Sequence, residues 1–241
     1  MAVRGLRRRA VLLDAMGTLV ELEPPVPRLR AELSRRFGVS VSDAQAELAV
    51  KAEIAHYRAH LDEGRDESSL RALRMSCAEV LRQELQQALG RNLPGGQSMV
   101  DALLASLSFR PFSDVVPALT VLKDLGLSLL VLSNWDVSLP DVLRRIGIAP
   151  YLDGVLTSAQ AGARKPDPAL FQAGLELGGV SAEEAIHVGD SLREDVAGAR
   201  AAGVAPVLLV RKGGDDPAGG VPRIRTLAEL PGLLAKQANQ N

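Results

Sequence analysis

Two textures of apolar spacing run along the chain. Near the start, "AVLL" before Asp14 is a short unbroken apolar run, the pattern of a strand covered on both faces. From about 26 to 107 the apolar residues recur at helical spacing instead. "VPRLRAELSRRFG" predicts a helix stopping at Gly38, and "VSDAQAELAVKAEIAHYRAHLDEG" one capped by Ser42 and ended by Gly64. "ESSLRALRMSCAEVLRQELQQALG" predicts a third, closed by Gly90, and "MVDALLASL" a short fourth. From about 112 the two patterns alternate. The strands "LSLLVLS", "GVLTS", "AIHVGD" and "APVLLV" are separated by the helices "LPDVLRRIG", "DPALFQAGLELGG" and "REDVAGARAAG", with "VVPALTVLKDLG" a helix ahead of the first. Beyond Arg211 come a Gly- and Pro-rich stretch, a short helix from about 226 to 235 and a polar "KQANQN" end expected to be loose.

Strands alternating with helices predict an α/β fold with a parallel sheet. The block 26–107 holds no convincing strand and reads as an all-helical insert. At 241 residues the chain has room for one large domain with a smaller insert. Hydrophobic residues at 46% and charged residues at 24% describe a globular chain. Aromatics at 3% leave little for base stacking, and a net charge of −1 supplies no global field for nucleic acid or membrane. The single cysteine, Cys77, excludes an internal disulfide and a cysteine-based zinc site. At the start, Arg4, Arg7, Arg8 and Arg9 precede an apolar run that Asp14 cuts short, unlike a secretory signal. No stretch approaches the ~20 apolar residues of a membrane span. The expected location is the cytoplasm, unanchored.

Candidate chemistry sits where strands end. Asp14, Ser133 and Asp190 each follow an apolar strand directly, and ligands of open α/β sheets bind outside the carboxyl ends of strands. Asp14 stands on a turn that Gly17 permits and that the Thr18 hydroxyl can brace. Ser133 and Asn134 offer a hydroxyl, an amide and backbone N–H groups to an anion. Lys165, in "GARKPDP", could hold Asp14 ionised and offset substrate charge. Asp190 and Asp195, converging with Asp14, suit a hard cation such as Mg²⁺, although Asp195 could equally cap or brace the following helix.

Four segments in order, "DAMGTL", "LSN", "RKPDP" and "GDSLREDVAGA", resemble the motifs of the haloacid dehalogenase superfamily over about residues 10–210. The resemblance implies a Rossmann-like core, 1–25 and 108–241, with a helical cap inserted at 26–107. It implies Asp14 as covalent nucleophile, with Lys165 beside it, and Ser133, Asn134, Thr18 and Lys165 against the substrate anion. It implies Mg²⁺ held by Asp14, the Met16 backbone carbonyl and Asp190, with Asp195 a further candidate ligand.

The departure is Met16. Phosphatases of the superfamily carry Asp there, as an acid for the leaving oxygen and a base for water; a thioether does neither. The expectation is a Mg²⁺-dependent phosphatase working through an aspartyl-phosphate at Asp14, acting on a small phosphorylated metabolite and weakened in acid–base catalysis. Two carbon-centred alternatives need no acid at that position. One is a 2-haloacid dehalogenase, whose halide leaves unprotonated. The other is a phosphonoacetaldehyde hydrolase, for which Lys51 of the helical block would form the Schiff base. A non-catalytic phosphate-binding protein is the remaining alternative. Glu21, Asp136 and His56 are candidates to replace the missing acid. Oligomeric state is open.

Overall fold

In a computed structural model of the chain, residues 8–211 and 220–238 are described, with no account of the side chains at 237 and 238. The chain divides into two compact units: one built from residues up to Glu21 and from Pro111 onward, the other Leu22–Arg110.

The first unit is a parallel six-stranded sheet flanked by helices, a Rossmann-like α/β arrangement. Its strands are β1 (Ala10–Leu13), β4 (Ser128–Ser133), β5 (Gly154–Thr157), β6 (Ala185–Gly189), β7 (Ala205–Leu209) and β8 (Arg223–Ile224), where β2 (Val20–Leu22) and β3 (Phe109–Pro111) form a separate two-stranded ribbon. The sheet order is β5-β4-β1-β6-β7-β8. Strand β1 therefore lies inside, pairing Leu13 with Val131 on one side and Val188 on the other. All four of its residues are fully buried, which is why its sequence is an unbroken apolar run. Leu12, Leu130, Leu132 and Phe171 fill one packed cluster of this unit. Close packing uses Gly174 against the sheet and Gly198 against a neighbouring helix: a methyl on Gly174 would lie 2.6 Å from Leu132 of β4, and one on Gly198 2.5 Å from the Phe171 ring.

The second unit is helical. Its helices are α1 (Pro25–Phe37), α2 (Asp43–His60), α3 (Glu67–Leu89) and α4 (Gln97–Ser106). Several boundaries have a local cause. Ser42 and Gln45 form a capping box at α2, and Asp66 and Ser69 one at α3. Gly38 and Gly90 end α1 and α3 in the left-handed conformation. Helix α2 stops at His60 rather than running to Gly64, because Leu61–Glu63 tighten into a 3₁₀ turn. Leu29, Leu33, Leu81, Leu85 and Met99 form its core.

Within that core sits Glu53, 5% exposed on α2 and hydrogen-bonded to the Cys77 thiol. Burial pushes its carboxyl up to about 7. Between its unfolded value and about 7 the folded chain holds a proton that the unfolded chain does not. Its contribution is complete below about pH 4.5 and is lost as pH rises through about 7, a change of roughly 3 kcal/mol. Thermal melts from pH 5 to 8 should show stability falling more steeply for the wild type than for Glu53→Gln.

The structure departs from the sequence pattern at further places. Strand β7 is not the last strand, because the two-residue β8 pairs beyond it. "REDVAGARAAG" does not form one regular helix: Leu192–Val196 make a π turn before a short helix, Ala197–Ala201. Ser158 leaves the strand to open a short helix, Ser158–Ala161. The C-terminal helix runs as a 3₁₀ turn, Leu227–Glu229, followed by Leu230–Ala238; the end of the "KQANQN" segment lies outside the described residues, as does the start of the basic head. No described helix is long and apolar enough to cross a membrane.

Candidate active site

Three neighbouring strands, β4, β1 and β6, bring Ser133, Asp14 and Asp190 to their carboxyl ends. Asp14 follows β1, and its N–H donates to the Val188 carbonyl of β6 at 2.9 Å. The residue as a whole is 6% exposed. Asp14 Oδ1 accepts from the Ser133 hydroxyl at 3.2 Å and from Lys165 Nζ at 2.5 Å. Lys165 Nζ also donates to Asp195 Oδ1 at 2.6 Å. Asp195 Oδ1 takes a further bond from His187 Nε2 at 2.9 Å, and Oδ2 accepts the Ser191 N–H at 2.9 Å. An ionised carboxylate only accepts, so Nε2 of His187 carries the proton. His187 is wholly buried under the site, and its Nδ1 has no hydrogen-bond partner among the described residues.

Two glycines let this cluster close. A methyl on Gly189 would fall 2.1 Å from Asp195 Cγ. One on Gly17 would fall 2.1 Å from Asp190 Oδ2, and the φ of +81° there is a left-handed conformation that side chains resist. Asp14, Asp190 and Asp195 each offer an oxygen within 4.8 Å of the others, the spacing of a shared cation site. Asp190 is exposed, at the open side of the group.

The electrostatics show a shortage of positive charge. Burial is the largest influence on Asp14 and raises its carboxyl to about 7, against the pull of Lys165. Desolvation and the charge of Asp195 raise Asp190. Burial would also raise Asp195, but Lys165 and His187 reverse it and hold Asp195 below the usual carboxylate range. Burial would lower Lys165, yet Asp14 and Asp195 outweigh it and keep the ammonium charged. Burial lowers His187, which leaves the imidazole neutral. Three carboxylates thus share one ammonium, and a divalent cation would supply the missing charge.

The turn after Asp14 fits this reading. The Ala15 carbonyl accepts three N–H groups, from Thr18, Leu19 and Val20, and the Val20 carbonyl accepts the Gly17 N–H at 2.9 Å. Phe112 N–H reaches the Leu19 carbonyl, and Arg211 reaches those of Gly17 and Thr18. Among the described residues no donor reaches the Met16 carbonyl.

Some residues singled out from the sequence are engaged elsewhere. The Thr18 hydroxyl, expected to brace the turn, is fully buried with no hydrogen-bond partner among the described residues; Arg211 does the bracing. Asn134, expected against the substrate, clamps the Lys165 backbone: Oδ1 accepts the Lys165 N–H at 2.8 Å, and Nδ2 donates to the Lys165 carbonyl at 3.1 Å and to Glu194 at 3.2 Å. Asp136 is buried and accepts the Ser138 N–H at 2.7 Å. In the helical unit, His56 hydrogen-bonds Ser76 at 3.0 Å and stacks on His60, and Lys51 is exposed. His187, Glu194 and Arg211 were not singled out. A lone polar residue inside the buried run "AIHVG" was the signal available for His187.

The haloacid dehalogenase-like hydrolase family model matches residues 8–203. The chain is 32% identical to haloacid dehalogenase-like hydrolase domain-containing protein 3 of Mus musculus over 95% of its own length and 93% of that protein. It is 37% identical to a glyceraldehyde 3-phosphate phosphatase of Methanopyrus kandleri over 42% of this chain and 44% of that one. The crystal structure of a 2-haloacid dehalogenase from Pseudomonas syringae pv. Tomato DC3000 matches with a TM-score of 0.65 at 25% identity, covering 95% of this chain and 99% of that one.

Proposed function

The chain belongs to the haloacid dehalogenase-like hydrolases, and on that premise we propose that it is a Mg²⁺-dependent phosphatase of small phosphorylated metabolites. The observation that carries this reading is the cluster of three carboxylates beside one ammonium, with no donor on the Met16 carbonyl among the described residues. Its charge and oxygen donors suit a hard cation. A dehalogenating carboxylate has no use for such an ion. Similarity to the Methanopyrus kandleri phosphatase supports the same direction.

In this reading the helical unit, Leu22–Arg110, serves as the cap and supplies substrate selectivity. Asp14, the Met16 carbonyl and Asp190 would hold the cation. Asp195, with both oxygens already carrying protein donors, holds Lys165 in place rather than ligating. Bound there, Mg²⁺ would screen the repulsion between the Asp14 carboxylate and an incoming phosphate dianion. Lys165 and Ser133 orient Asp14 through its Oδ1 and present donors to the transferring phosphoryl group. The free oxygen of Asp14 attacks phosphorus as the ester P–O bond breaks, leaving an aspartyl-phosphate that water then hydrolyses. No group at position 16 protonates the leaving oxygen, so that proton comes from solvent.

A panel of phosphate esters, with Mg²⁺ and with chelator, tests the assignment. Hydrolysis in Mg²⁺ that stops in chelator is the expected result. Halide release from a 2-haloacid in chelator would replace it with the carbon-centred reading, which Met16 and the similarity to the Pseudomonas dehalogenase favour. Phosphate binding without turnover on any ester would leave a binding protein. Restoring the absent acid gives a second measurement. Met16→Asp should raise turnover of an alkyl phosphate by about 10²-fold. The gain on an activated aryl phosphate should be smaller, because its leaving group needs less help. An unchanged alkyl rate would point to an acid supplied from elsewhere.

A further inference from the structure

We infer that Arg211 is a positioning residue: it fixes the peptide planes of the turn after Asp14 so that the Met16 carbonyl faces the cation, and thereby sets the pocket's affinity for Mg²⁺. This rests on the cation reading given above and adds to it a residue outside all four motif segments.

Arg211 stands just beyond β7, and its guanidinium makes four hydrogen bonds. Nε donates to the Gly17 carbonyl at 3.1 Å and Nη2 to the Thr18 carbonyl at 2.6 Å. Nη1 meets both oxygens of Asp114, at 2.9 and 3.0 Å. Its Cζ lies 3.8 Å from the centre of the Phe112 ring. Asp114 is itself anchored, since its Oδ2 accepts the Leu227 N–H at 2.7 Å. The Arg211 and Asp114 side chains are only 16% and 13% exposed. A planar fork held on one side by a carboxylate and an aromatic face presents its other donors in fixed directions.

The turn needs such a restraint. Gly17 is free to rotate about its own backbone bonds in a way no other residue is. The Met16–Gly17 peptide is planar and trans, so its N–H and C=O point in opposite directions. The Gly17 N–H points to the Val20 carbonyl, which turns the Met16 carbonyl the other way. That orientation lasts only while the next peptide, whose carbonyl belongs to Gly17, does not flip. Arg211 holds that carbonyl and the one after it. The same glycine lies against the Asp190 carboxylate, so a shift of the turn would disturb two of the three proposed ligands together.

Calorimetric titration of the full-length protein with Mg²⁺ tests this without relying on turnover. Outer partners of metal ligands typically alter affinity by roughly 10–100-fold. Arg211→Ala should raise the Mg²⁺ dissociation constant by at least about tenfold. Arg211→Lys keeps the charge but not the fork and should raise it less. Phe112→Leu removes the ring contact and leaves the carbonyl contacts in place, so its Mg²⁺ affinity should match the wild type. An unchanged dissociation constant in folded Arg211→Ala overturns the inference. If that variant does not fold, an unchanged constant in Arg211→Lys does so. An equal loss in Phe112→Leu would mean general loosening of this corner and would also overturn it. Absence of Mg²⁺ binding by the wild type would instead sink the cation reading itself.

Discussion

Asp14→Asn is expected to abolish hydrolysis, lowering kcat on the order of 10⁴-fold or more while leaving the fold intact. The amide is close in size to the carboxylate and can still accept from Ser133 and Lys165 through its carbonyl oxygen. It is a poor nucleophile, so the phosphoryl transfer that starts the proposed reaction has no acceptor. The carboxyl it replaces is held up to about 7 by burial, so its removal relieves desolvation even as Lys165 loses a charged partner. Two measurements check the outcome. Steady-state rates in saturating Mg²⁺ report the loss. Mass spectrometry of acid-quenched wild type should find a phosphoryl adduct on the peptide containing Asp14 and none in the variant. Turnover within tenfold of wild type would remove Asp14 from the role of nucleophile.

Lys165→Met should have the next largest effect, and on stability as well as rate. The Lys165 ammonium lies between Asp14 and Asp195, whose side chains are 8% and 2% exposed. Removing one partner of a buried ion pair typically costs about 3–5 kcal/mol, because a charge is left without compensation. The rate should fall about 10²–10³-fold with the loss of an electrostatic donor. The pH dependence separates this from a packing defect. Without the ammonium, the neighbouring carboxylates raise each other's affinity for a proton, and a group raised in the folded state loses its stabilisation as pH rises. Urea unfolding should therefore show the variant weakening from pH 5 to 8 more steeply than the wild type. Adding Asp195→Asn should recover part of the loss. A flat profile for the single variant would show that the ammonium does not govern the pair.

The strand ends were legible because burial on both faces leaves a simple mark. Leu12, Val131 and Val188 sit in runs that no surface strand would tolerate, so the polar residues terminating them stand out. The helical unit was legible for a similar reason: Ser42, Gly38 and Gly90 are local signals whose partners lie within a few residues. What escaped the sequence is what depends on distant partners. Arg211 is followed by a Gly- and Pro-rich stretch and looks solvated, yet its acceptors lie 97, 193 and 194 positions away. Asn134 stands at a strand end, but nothing in the sequence signals that its side chain also clamps a backbone 31 residues on. Thr18 read as a brace because a hydroxyl beside a glycine often is one. The π turn at Leu192–Val196 has no residue signature in "GDSLRED". Strand β8, two residues long, is below the length at which alternation can be counted.

The separation in sequence of the groups around Asp14 bears on how the molecule comes into being. The contacts from Asp14 to Ser133 and to Lys165 span 119 and 151 positions, and those from Arg211 back to the turn span 193 and 194. Such long-range closure is slow to form, and it comes after helices whose contacts are local. During synthesis the local helical contacts of Leu22–Arg110 can form while the chain is still lengthening, whereas "AVLLD" must wait, unpaired on both edges, until the strands that flank it have emerged. That makes the N-terminal strand a point of vulnerability to off-pathway pairing in the nascent chain.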